Sequence, residues 1–161
     1  MTHMERALSL ARKAVGSASP NPAVGAVVVR DGAVVGEGWT QPAGQAHAEV
    51  MAIRRAGAAL GTHDLSGCTM YVNGASCPMC SAAMLWAKID KVYYAAAIED
   101  CLLTGSDFAP LRHDVGKPIN ERSTPCEHLL AKEGRDLIAE WAGILENDPV
   151  MRKLLGPSAG K

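Results

Sequence analysis

The most constraining feature of the chain is a pair of β-branched runs, Val24 to Arg30 and Ala33 to Trp39, joined by Asp31-Gly32. Asp-Gly between alternating apolar segments favours a two-residue hairpin, because both central positions of that turn need positive φ. After it, strand and helix signals alternate. Val50, Met51, Ile53, Ala56 and Leu60 recur at helical spacing over Ala48 to Leu60, with Arg54 and Arg55 on the other side. Thr69 to Asn73 then reads as a strand entering a turn at Gly74, and Pro78 opens a helix running to about Lys88. Lys91 to Ala96 reads as a fourth strand. Upstream, Thr2 to Val15 is an amphipathic helix stopped by Gly16 and Ser19-Pro20-Asn21-Pro22, and downstream Glu127 to Leu145 forms a last helix after a mostly loop region, Asp100 to Pro125. A hairpin followed by such alternation predicts a mixed central sheet with helices on both faces, a three-layer α/β/α architecture.

The 161 residues, 48% of them apolar, suit one domain over 1–155, with a frayed polar tail at 156–161. Sixteen basic against seventeen acidic residues give a formal charge of −1, which supplies no field for nucleic acid or anionic membranes. Met1 to Val15 is interrupted by Glu5, Arg6, Arg12 and Lys13, so it lacks the apolar core of a signal peptide, and the expected compartment is the cytoplasm. Five cysteines fit reduced thiols better than a disulfide scaffold; Cys68, Cys101 and Cys126 read as small apolar residues.

His47 and the pair Cys77/Cys80 in Cys77-Pro78-Met79-Cys80 each fall at or beside a predicted helix N-terminus, where the positive helix end stabilises thiolate. One imidazole and two thiolates suit zinc, and three protein ligands leave a position for water, the arrangement of a catalytic rather than a structural site. Glu49 lies two residues beyond His47, about 200° around an ideal helix, so the two side chains share a direction only if the helix begins between them. A carboxylate there suits proton transfer to and from the water, giving a hydrolytic unit. Two other readings of the same residues are a zinc-binding protein without turnover and a thiol oxidoreductase cycling Cys77 and Cys80.

His47-Ala48-Glu49 followed by Cys77-Pro78-Met79-Cys80 resembles the H-x-E and P-C-x-x-C signature of zinc nucleobase deaminases. Asn21-Pro22-Ala23-Val24-Gly25-Ala26 is similar to a segment of that family whose Asn contacts the substrate ring. Pro22 to Gly57 resembles the deaminase domain of the riboflavin-pathway enzyme, whereas Cys77 to Cys80, Trp86-Ala87, Tyr93 to Ala96 and Lys117 to Arg122 resemble bacterial guanine deaminases. The latter are small homodimers whose C-terminal segment can cross to the partner. The resemblance implies a cytidine-deaminase-like fold, one Zn²⁺ per subunit on His47, Cys77 and Cys80, and Glu49 as proton shuttle. It gives substrate-binding roles to Asn21, Ala48, Trp86 and Asp107, and makes His128 and Trp141 candidates for a neighbour's site. The implied reaction is hydrolytic deamination of a free nucleobase or small aminated heterocycle. Guanine leads, followed by cytosine, an aminotriazine, a pterin or the riboflavin-pathway pyrimidine; tRNA adenosine is disfavoured by the charge. The chain departs from the family at Ala75-Ser76, where Glu-Pro is common, and at Gly105-Ser106-Asp107-Phe108, where guanine deaminases carry Gly-Phe-Asp-Asp.

Overall fold

The computed structural model describes residues 1–105 and 107–148, in two compact units divided after Gly116; the tail expected at 156–161 lies outside the described residues. The first unit is built on four strands, β1 (Gly25–Arg30), β2 (Ala33–Trp39), β3 (Cys68–Gly74) and β4 (Lys91–Ala96), in the order β2-β1-β3-β4. β1 runs antiparallel to both neighbours, while β3 and β4 are parallel, so the sheet is mixed as the alternation predicts. Asp31 and Gly32 take φ of 50° and 77°, the paired positive values that the hairpin requires.

Alternation along β1 assigns the layers. Val27 and Val29 pack with Ala7 and Leu10 of α1 (His3–Arg12). Ala26 and Val28 face the other way, joining Met70 and Val72 of β3, Ala48, Ala52 and Ala56 of α2 (Ala48–Leu60) and Met84 of α3 (Pro78–Trp86). Helix α1 is shorter than its apolar pattern suggests. It starts on a capping box in which the Thr2 hydroxyl accepts from the Glu5 N–H at 3.2 Å and the Glu5 carboxylate accepts from the Thr2 N–H at 2.7 Å. It ends at Arg12, ahead of Gly16 at φ 84°.

Three glycines, Gly25, Gly36 and Gly38, let the outer layers approach the sheet, and a Cβ on Gly36 would collide with the Ala52 carbonyl. A Cβ on Gly38 would collide with the carbonyl of Ala48, and one on Gly25 would collide with the backbone of Ala7 and Ala11. Gly38 thereby fixes the first turn of α2 against β2, and Gly25 seats α1 on β1.

After β4 the chain is more structured than the loop its composition suggests. It forms α4 (Ile98–Cys101), a 3₁₀ turn at Leu102–Thr104 and α5 (Ala109–Val115). Arg112 of α5 donates to the Ser76 carbonyl at 2.8 Å, bracing the turn that precedes Cys77. In the second unit α6 spans Ala131–Asn147, beginning later than the pattern from Glu127 suggests, because Leu130 adopts φ 49° at its N-cap. Leu137, Ile138, Trp141 and Ile144 of α6 are each about half or more exposed. Cys68 is buried as its composition suggests, but Cys126 is exposed and Cys101 only half-buried.

Candidate metal centre and cavity

Helices α2 and α3 begin in the same way. His47 is the N-cap of α2 at φ −68°, ψ 161°, and Cys77 is the N-cap of α3 at φ −66°, ψ 164°; neither side chain caps its own helix. An extended backbone at the cap turns each side chain away from the helix axis, and Pro78 at N1 fixes the entry to α3. Because α2 begins between His47 and Glu49, the 200° separation of a continuous helix does not apply, and both residues reach one cavity.

The ligand atoms converge. His47 Nδ1 lies 3.6 Å from Cys77 Sγ and 3.5 Å from Cys80 Sγ, and all three donor atoms fall within 4.8 Å of one another. A tetrahedral zinc with ordinary Zn–S and Zn–N bonds separates its sulfur and nitrogen ligands by about 3.6 Å. The donor set and its spacing therefore fit that ion.

The two thiols already differ in acidity. Cys77 is lowered to about 5, chiefly by the hydrogen bond from Cys80, with the His47 charge assisting. Cys80 is driven upward by the same bond, then by burial and by the Glu49 carboxylate. Zinc held by His47, Cys77 and Cys80 would need both sulfurs as thiolates, a charge that the N-termini of α2 and α3 favour. Glu49, in the first turn of α2, is only 3% exposed, so its carboxylate is held out of bulk water beside the ligand set.

His47, Glu49 and Cys77 line a cavity of about 320 Å³. Asn21 lines it too, and among the described residues no partner engages its carboxamide. The other three residues expected to bind substrate are placed elsewhere. Ala48 is fully buried in the core between α2 and β2, because its side chain leaves the helix on the sheet side. Trp86 is 84% exposed and outside the cavity lining: α3 buries Cys80, Met84 and, just beyond its end, Ala87, and a residue two beyond Met84 points the opposite way. Asp107 is exposed, and its Oδ1 accepts from the Ala109 N–H at 2.9 Å, a turn contact at the start of α5. Its neighbour Phe108 lines the cavity instead. His128 and Trp141 belong to the second unit and are exposed.

The lining also includes residues to which the sequence assigned no role at the site, among them Thr40, Asn73, Ala75, Cys101 and Phe108. Asn73-Gly74 carried the signal of a turn, which masked the use of the Asn73 amide. Phe108, the only phenylalanine, was a signal available from composition alone. Ala75 places a methyl group on the cavity wall. Ser76 does not line that cavity; its hydroxyl is buried with no hydrogen-bond partner among the described residues and borders a second, smaller cavity with Arg112.

The family model for the cytidine and deoxycytidylate deaminase zinc-binding region matches residues 1–96. Guanine deaminase of Bacillus subtilis is 36% identical over 144 residues, covering 87% of this chain and 92% of that protein. Its crystal structure superposes with a TM-score of 0.76 at 35% identity, over 89% of this chain and 95% of the other. The chloroplastic riboflavin biosynthesis protein PYRD of Zea mays is 47% identical over 96 residues, which is 56% of this chain but only 23% of that protein. A structure from a study of tRNA:A34 deaminases matches at a TM-score of 0.51 and 37% identity, over 59% of this chain and 70% of its own.

Proposed function

Given that the chain belongs to the cytidine and deoxycytidylate deaminase zinc-binding family, we propose that this zinc-dependent deaminase acts on a free nucleobase or similarly small uncharged heterocycle, guanine first. The observation that carries the proposal is the cavity lining. It presents Asn21, Glu49, Asn73 and Phe108 but, among the described residues, no lysine or arginine. Phosphorylated substrates are normally held by cationic side chains, and the helix N-termini that border this cavity, at His47 and Cys77, already serve the ligand set, so this lining suits a base better than a nucleotide. Guanine stands ahead of other bases because the guanine deaminase of Bacillus subtilis shares nearly the whole chain with this one. The same lining, with the formal charge of −1, weighs against tRNA.

His47, Cys77 and Cys80 would hold the zinc, which supplies Lewis acidity that makes water nucleophilic at neutral pH. Glu49 takes one proton from the attacking water and gives it to the ring nitrogen, then takes the second from the hydroxyl now on the ring carbon and gives it to the departing amine, so water enters, ammonia leaves and a carbonyl replaces the amidine-like C–NH₂. Asn21 holds the ring through its carboxamide, and Phe108 offers an aromatic surface to a planar substrate.

We also read the protein as a homodimer with C-terminal exchange, supported by the exposed apolar face of α6. Two thiolate ligands suit the reducing cytoplasm, and no helix among the described residues is long and apolar enough to cross a membrane.

The test is ammonia release from zinc-loaded protein offered guanine, cytosine, adenine, an aminotriazine, a pterin and the riboflavin-pathway pyrimidine phosphate, with Glu49→Gln as control. Turnover of a free base, abolished in the control, is expected. Preference for the phosphorylated pyrimidine would reject the proposal.

A further inference from the structure

Asn21 enters the cavity on a segment that belongs to no helix or strand, between the end of the α1 turn and β1. A residue that orients a ring must itself be held, yet no regular ladder holds residues 21–24. The paired register of β1 with β3 ends at Ala26 opposite Val72. One step further, Asn73 continues it with its side chain. Its Oδ1 accepts from the Gly25 N–H at 2.8 Å, and its Nδ2 donates to the Ala23 carbonyl at 3.1 Å. One carboxamide thus stands in for a peptide unit, with one acceptor and one donor filled by two backbone groups two residues apart.

Thr40, just past β2, grips the residue between. Its hydroxyl oxygen accepts from the Val24 N–H at 3.0 Å, and its own N–H donates to the Val24 carbonyl at 2.8 Å. The Asn21 N–H in turn donates to the Ala18 carbonyl at 2.8 Å. Asn73 differs from Thr40 in where it leads: Gly74, Ala75 and Ser76 connect it directly to Cys77. It therefore fixes the substrate-facing segment relative to the metal-bearing turn, across the cavity that both line.

We propose that Asn73 is a positioning residue that acts through Asn21, setting the distance at which the ring is presented to the zinc and Glu49. The inference rests on the reading of Asn21 as a ring-binding residue. Misplacing a bound substrate by about an ångström costs on the order of 100-fold in rate, so Asn73→Ala should lower kcat/KM by roughly 10- to 100-fold. Because the loss is routed through Asn21, it should not multiply with the loss from Asn21→Ala.

The experiment is a double-mutant cycle of Asn21→Ala and Asn73→Ala, assayed by ammonia release from guanine, with zinc content and hydrogen exchange of residues 21–25 measured on each protein. The expected result is a double variant within about 2-fold of Asn21→Ala alone, one zinc per chain throughout, and faster exchange at Gly25 in each protein carrying Asn73→Ala. Losses that multiply would overturn the proposal, as would an Asn21→Ala protein of full activity. Zinc loss in Asn73→Ala would assign Asn73 to the metal turn alone and equally reject it. If Asn73→Ala does not fold, Asn73→Asp replaces it in the cycle, since it keeps the acceptor for Gly25 but sets a carboxylate oxygen against the Ala23 carbonyl. A parent protein that leaves guanine untouched would contradict the guanine reading; the clamp is then decided by exchange, where unchanged protection at Gly25 rejects it.

Discussion

His47, Glu49, Cys77 and Cys80 sit on the first turns of two helices clamped to the sheet, whereas Asp100 and Cys101 sit on the four-residue α4 and Phe108 in the loop before α5. Glu49 and the two cysteines are buried, with a glycine contact between Gly38 and Ala48 pressing their scaffold together. The segment after β4 has no such support: Asp100 spends one carboxylate oxygen on the Ala97 N–H, and Leu102 and Leu103 are largely exposed. The contrast separates the two tasks of a deaminase. On the proposed reading, chemistry common to every substrate falls to rigid helix ends, and ring contact falls in part to residues that can change without unseating the metal.

The largest break in this comparison should come from Glu49→Gln, which keeps the shape of the buried side chain but cannot shuttle a proton. We expect kcat to fall by about 10²- to 10⁴-fold with zinc content unchanged, read by steady-state ammonia release and metal analysis; activity within a few-fold of the parent would remove Glu49 from the chemistry. Gly38→Ala comes next. Overpacking at this contact should cost about 1–3 kcal/mol and push the start of α2 away from β2, so lower zinc occupancy should accompany a lower denaturation midpoint. Retained zinc at reduced stability would show that the metal site does not depend on that packing.

Phe108→Ala sharpens the other side. It should raise KM by about tenfold, as the loss of an aromatic contact of about 1 kcal/mol or more implies, and leave zinc and thermal midpoint unchanged. A fall in kcat at constant KM would instead place Phe108 in the rigid part. The smallest effect concerns the Arg6–Glu37 pair, 2.6 and 2.9 Å in a fork geometry that links α1 to β2. The Arg6 hydrogen bond holds the Glu37 carboxyl below its ordinary value. A depressed folded value contributes stability that is complete above the unfolded carboxylate range and is lost as pH falls through the folded value. Arg6→Ala should therefore lower the melting temperature slightly at neutral pH, and the difference from the parent should vanish in acid. A gap that persisted or widened in acid would contradict this sign.

The same division describes what was legible in the sequence. The hairpin, the four strands and α2 and α3 follow from periodicity and turn chemistry, because each buries one face against the sheet. The ligand set was legible because cysteine and histidine carry their chemistry in their identity, and a helix start between His47 and Glu49 is all that geometry had to add. Beyond Ala96 local pattern failed. Asp107 looked like a ligand for a ring and turned out to cap a turn, while α5 was hidden by Pro110 and by a length of seven residues, too short for a periodicity to declare itself. Trp86 was misread for a different reason: its distance from Cys77 along the chain said nothing about which side of α3 it occupied. Asn73 was missed because a side chain completing a ladder leaves no trace in composition.

The most direct measurement is the ratio of kcat/KM for free guanine to that for a phosphorylated heterocycle, the riboflavin-pathway pyrimidine phosphate, on the same zinc-loaded protein. A cavity lined by Glu49, Asn21 and Phe108 without a cation among its described residues predicts turnover of the free base and a ratio well above one. A ratio below one, with Glu49→Gln abolishing turnover of the phosphorylated compound, would contradict the account: the catalytic unit would stand, but the cavity would have been assigned the wrong substrate.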